Sequence, residues 1–162
     1  MTAPVLLLID ALLIAGPGFW MAVAVYDNWR HPKLNVDAVA MVLRFDQMAE
    51  EFPDEFDVVG HRRISEPRHI DLIFQAIRLF ESLAAVTLLM AALLLFGAAI
   101  GAVPTGLATA FALFGITYFI LIWAAFIVGG NYFHYYFCHP WAQSNHFMFM
   151  FWGFFVLLVL LI

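Results

Sequence analysis

The sequence predicts an all-α fold: a four-helix integral membrane bundle with an amphipathic helical insert between the first and second helices. Three observations carry this expectation. The 162-residue chain is 65% hydrophobic and 12% charged, with a mean hydropathy of +0.92, whereas a soluble domain is about half apolar and about a quarter charged. Apart from Asp10, every Asp, Glu, Lys and Arg falls between Asp27 and Glu81, and none occurs from Ser82 to Ile162. The apolar stretches are long enough to cross a hydrocarbon core about 30 Å thick, and Gly, Pro or polar residues separate them. A chain this small has too much surface for so few charges to solvate, which excludes a soluble or disordered chain. The net charge of −5, with no basic patch, excludes a nucleic-acid partner. One Cys excludes a disulfide framework within the chain. The length allows one membrane domain.

The first span is expected over about residues 5–26. Ala22-Val23-Ala24 resembles a signal-peptide cleavage site. The lack of a basic segment ahead of the apolar run favours an uncleaved span. Gly16-Pro17-Gly18 should kink or loosen this helix. The aqueous insert follows over about residues 29–65. Within it Ala38, Met41, Phe45, Met48 and Phe52 recur at helical spacing, predicting one amphipathic helix capped by Asn35 and ended near Pro53. Such a helix has three options: to lie in the interface plane, to fold back on its bundle, or to grip a partner.

The second span is expected over about residues 66–97, with Ser65 as cap and Pro67 in the first turn. At 1.5 Å per residue it exceeds the bilayer core, so Arg68, Asp71 and Arg78 should stand in the interface or in water. Gly101 and Pro104 mark a short turn, and the third span is expected over about residues 105–128, broken by Gly129-Gly130. A polar and aromatic link over 131–145 leads to the fourth span, about residues 146–162. Four spans put both termini on one side and the insert and link on the other. The basic residues sit in or beside the insert, so the positive-inside rule assigns it weakly to the cytoplasm of a bacterial inner membrane.

Arg62-Arg63-Ile64-Ser65-Glu66-Pro67 ahead of a helix carrying Glu81, and Gly129-Gly130-Asn131-Tyr132-Phe133 followed by Trp141 and a last span, form a recognisable pattern. It resembles the bacterial predicted small integral membrane protein family, a four-helix domain of unknown function. The resemblance covers most of the chain. Where family members carry an acidic residue and Trp after the paired glycines, this chain has Asn131 and Tyr132. Where they carry Trp-Asn-Gly-Gln, it has Trp141-Ala142-Gln143-Ser144. The resemblance implies no reaction and no catalytic residue, and basic residues at the N-terminus and in the second turn of other members imply the insert outside.

Candidate chemistry gathers in a few places. His134, Cys138, His139 and His146 include the imidazole and thiolate donors that bind metal ions or haem iron. Their spacing matches no standard motif. The bland alternative is an aromatic interfacial girdle with Tyr132, Tyr135, Tyr136 and Trp141. Asp10 and Glu81 are intramembrane acids, which are costly unless paired, wet or functional. Thr2, Thr105 and Thr109 could satisfy Asp10. Glu81 follows Arg78 by three residues, so an intrahelical ion pair is expected. The alternative places it with His134, His139 and His146 in a polar cluster facing a quinone or headgroup. Arg62, Arg63 and Arg68 could hold an anionic lipid phosphate, with Trp141 at headgroup level.

Three functional readings follow. The favoured one is a non-catalytic accessory subunit of a larger bacterial membrane complex, respiratory or oxidative, in contact with membrane lipids and other subunits or further copies of itself. Bound phospholipid is expected with it. The second is a small metal- or haem-binding redox protein. The third, an oligomeric channel or transporter using Asp10 or Glu81, has the least support, since no span carries a polar face.

Overall fold

Proline opens most of the helices. Its fixed φ suits the first turn, where the missing N–H would have no intrahelical partner. The computed structural model describes residues 2–162. It contains α1 (Ala3–Arg30), α2 (Pro32–Arg44), α3 (Asp46–Glu51), α4 (Pro53–Val59), a 3-10 turn (Gly60–Arg62), α5 (Pro67–Ala99), α6 (Thr105–Tyr132) and α7 (Pro140–Leu160). Pro4, Pro32, Pro53, Pro67 and Pro140 all lie in first turns. Four helices, α1, α5, α6 and α7, are long and apolar enough to cross a membrane.

Several expected boundaries move, each for a physical reason. α7 begins at Pro140, well before residue 146, because that proline starts a helix and does not interrupt one. Pro53 likewise opens α4. α6 runs on through Gly129-Gly130 to Tyr132. Gly130 stays helical because its bare backbone seats a ring: a Cβ there would stand 2.6 Å from Tyr135 Cε1. α1 extends beyond both expected ends and stays helical through the buried Pro17. Glu66, not Ser65, is the N-cap of α5, and it makes no side-chain cap hydrogen bond.

The insert departs most from expectation. It is three short helices, not one. Phe45 takes a left-handed conformation (φ 58°), which ends α2 and turns the chain into α3. A bulky residue held there costs conformational energy, and Phe45 is almost wholly buried against the Phe56 and Phe133 rings. The predicted stripe therefore holds only in its second half: Phe45 and Met48 are buried, whereas Ala38 and Met41 are exposed. In α2 the buried positions are Ala40 and Leu43, packed with Val36 and Val39 on Ile64, Ile70, Ile73 and Phe133. Ile64 N–H donates to the Leu43 carbonyl at 2.8 Å, tying the end of the insert to α2. Of the three options, the insert folds back on its own bundle.

Each long helix packs antiparallel to its neighbours, in the ring order α1, α5, α6, α7. Ile14, Met21, Leu88, Leu95, Ile116 and Phe119 fill the axis with no exposure. Small residues allow close approach, as is usual where lipid removes the hydrophobic drive between helices. Gly18 meets Leu88 and Leu89, Gly115 meets the Thr87 carbonyl, and Gly153 meets Phe119 and Ile120. Both chain ends lie at one end of the bundle, and the insert and the 133–139 link lie at the other. Asn28 and Glu81 stand at one level near the insert end. Asp10, eighteen residues earlier on α1, is then about 27 Å away at 1.5 Å per residue, close to the opposite edge of the hydrocarbon core.

Candidate functional site

Two polar clusters occupy the insert end of the bundle. The first joins three elements. The Asn28 side-chain amide on α1 donates to Glu81 Oε2 on α5 at 2.7 Å, and Asn35 on α2 donates a short hydrogen bond to Asn28 Oδ1. Asn28 is 5% and Glu81 7% exposed, the two buried polar side chains of the core. The helix geometry explains the meeting. α5 extends about four turns above Glu81, so the shorter α1 ends beside it and delivers Asn28. Next to this relay the Arg78 guanidinium lies over the Trp29 ring at 4.3 Å and the Phe74 ring at 5.3 Å, a cation–π arrangement. Its buried Nε has no hydrogen-bond partner among the described residues. Trp29 Nε1 donates to Ser82 Oγ at 3.1 Å, and Ser82 donates to the Arg78 carbonyl at 2.6 Å.

The second cluster ties the insert to the link. Arg62 donates to the Tyr132 carbonyl at 3.2 Å and to His134 Nε2 at 3.1 Å, and lies over the Tyr132 ring. An arginine only donates, so Nε2 accepts; Nδ1 then carries the proton toward Tyr136 Oη at 3.0 Å. His134 sits at φ 50°, the second non-glycine residue in left-handed conformation. Deeper, Tyr135 Oη and His146 Nδ1 are 3.3 Å apart, and the His146 ring packs on Tyr135, Trp123 and Phe126. Trp123 continues the stack to Trp20 and Phe149. Its buried Nε1 has no partner among the described residues.

Three groups of the link shift away from their ordinary titration, all chiefly by burial. Burial raises the Tyr135 phenol. It raises the Cys138 thiol, and Glu51 nearby pushes the same way. It lowers the His139 imidazole, with Glu51 opposing. At neutral pH the link thus presents a thiol and neutral imidazole.

With this geometry in place, residues 6–162 match the family described as predicted small integral membrane protein (DUF2165). The chain belongs to that family. No curated protein and no solved structure matches it. The four apolar helices fit the family's description as an integral membrane protein.

The expected site residues separate into groups. Among the described residues no three His, Cys, Asp or Glu side chains gather closely enough to share a metal ion. His134 is held by Arg62 and Tyr136, His146 by Tyr135, while Cys138 and His139 face a crevice against the insert. Glu81 does not pair with Arg78 or with a His of the link; it accepts from Asn28. The one ion pair among the described residues is Lys33–Asp37. The Arg62, Arg63 and Arg68 trio is split: Arg62 turns inward, and the other two are exposed. Trp141 is exposed at the start of α7. Asp10 is half-buried and forms no side-chain hydrogen bond among the described residues, Thr2, Thr105 and Thr109 included.

The spacing does not single out Asn28, Trp29 or Ser82, and Asn35, expected as a helix cap, lies inside α2 and donates to Asn28 instead. A polar pair, Asn28-Trp29, at the end of an apolar run was the available signal. Its partner lies 53 positions away, beyond any local pattern.

Proposed function

We propose that this family member is a non-catalytic structural subunit of a larger assembly in the bacterial inner membrane. Both termini lie on one side, and the insert and link on the other. The observation that carries this reading is the fourth span. Only 11% of the apolar window of α7 is buried within the chain, against 28–44% for the other three spans. Just Gly153 and Val156 of its residues are buried. One side of it presents Phe147, Met148, Phe151, Phe154 and Phe155 outward, an aromatic face suited to packing against another apolar helix. The filled bundle axis supports a structural role over a pore through one copy. Phospholipid would cover whatever face a partner leaves free.

Tagged protein expressed from its own promoter, extracted in a mild detergent and run on native gels tests the reading. A discrete complex containing a second membrane protein in constant ratio is expected. A lone monomer at native abundance contradicts it.

A further inference from the structure

One crevice, bordered on one side by His134 and Tyr135 of the second cluster, is lined by residues that carry soft donors. It lies where the insert meets the link. Met41 and Met48 line it from the insert, and Cys138 and His139 from the link, with Phe45 and Phe133 as apolar wall. Its free volume is about 10 Å³, room for one water-sized sphere and far too little for haem or a quinone. Of the two methionines, Met48 is buried and Met41 is exposed.

The donors are two thioethers, one thiol and one imidazole. Hard cations take oxygen ligands, and thioether sulfur favours cuprous copper. Both nitrogens of His134 are engaged, whereas the His139 ring has no hydrogen-bond partner among the described residues. The backbone holds the two donor pairs in place. His139 N–H donates to the Tyr135 carbonyl at 2.6 Å, Phe52 packs on Phe137, and the left-handed Phe45 aims the chain so that Met48 reaches the link.

We propose that Met41, Met48, Cys138 and His139 bind a single Cu(I) ion at this junction, independently of the subunit reading above. On binding, the Cys138 thiol releases its proton to solvent and its sulfur bonds the metal. No electron is transferred. His134 and His146, which sequence spacing grouped with Cys138 and His139, are not ligands of this ion.

The full chain in detergent micelles, titrated anaerobically with Cu(I) against a chromogenic cuprous chelator, tests this. One copper per chain is expected to resist the chelator, with a sulfur-rich first shell by X-ray absorption. Met48→Leu, which conserves volume, and Cys138→Ser should each weaken retention at least tenfold, with thermal unfolding of each apo variant close to that of the native chain. Should Met48→Leu disturb folding, Met41→Leu at the exposed methionine is the second variant, again with at least a several-fold loss. Copper surrendered as readily by the native chain as by the Met48→Leu/Cys138→Ser double variant overturns the proposal. So does unchanged retention in both methionine variants, which would mean adventitious binding at Cys138 alone.

Discussion

The Asn35–Asn28–Glu81 relay gives the sharpest test of how the insert end is held. Asn28→Ala removes both of its hydrogen bonds and leaves Glu81 Oε2 buried without its 2.7 Å donor. A buried acceptor stripped of its partner costs about 1–3 kcal/mol, whereas hydrogen bonds between membrane helices average about 0.6 kcal/mol, with an upper value near 1.7. Two bonds are lost here, and one acceptor stays enclosed at 7% exposure. A destabilisation of about 2 kcal/mol follows, roughly 30-fold in the unfolding constant. Glu81→Gln keeps a side-chain carbonyl for Asn28 to bond and should cost less than about 1 kcal/mol. Asn28→Leu with Glu81→Leu replaces both partners by apolar groups and should return close to native stability. Reversible unfolding in bicelles, followed by steric trapping, measures all three. A cost below about 0.5 kcal/mol for Asn28→Ala, the range of ordinary surface changes, would refute the reasoning. So would a double variant less stable than either single one.

Other consequences can be checked with similar means. Gly130→Ala puts a Cβ 2.6 Å from the Tyr135 ring, and should cost about 1–3 kcal/mol by overpacking. Gly129→Ala meets nothing within 4 Å and should be neutral or stabilising by up to about 1 kcal/mol, so thermal unfolding of the pair separates packing from propensity. Gly153→Ala meets Ile120 Cγ1 at 2.6 Å; it should loosen α7 from α6, seen as faster disulfide formation by cysteines placed on the facing helices only in the native glycine background. Arg62→Ala should raise hydrogen exchange at residues 60–64 and 132–137 together, because one side chain holds both segments. Arg62→Lys, lacking the planar guanidinium, should rescue little of that protection.

The four spans were legible because lipid imposes a simple rule: long apolar runs with every backbone group bonded internally. Their ends were less so. Proline at a first turn and proline as a breaker look alike in sequence, which is why α7 begins earlier than expected at Pro140. Gly129-Gly130 reads as a stop, yet the helix continues because Tyr135 fills the space that Gly130 leaves. The insert's period-3.6 pattern ran through Phe45, and nothing local shows that this phenylalanine turns left-handed; burial between Phe56 and Phe133 compensates. Glu81 stands out in the sequence as an acid within a span. Spacing points to Arg78, three residues away, as its partner, because a local pattern cannot see an asparagine on another helix. Asp10 looked expensive from its flanking residues. The length of α1 places it near the far edge of the core.

The central claim is that the aromatic face of α7 packs on another membrane protein. Site-specific photo-cross-linking in native membranes tests it most directly, with a photoreactive phenylalanine at Phe151, Phe155 or, on α6, Phe114, all exposed in the isolated chain. A discrete protein adduct from Phe151 and Phe155, of the same mass at both, is the predicted result. Lipid adducts alone at both α7 positions would contradict it.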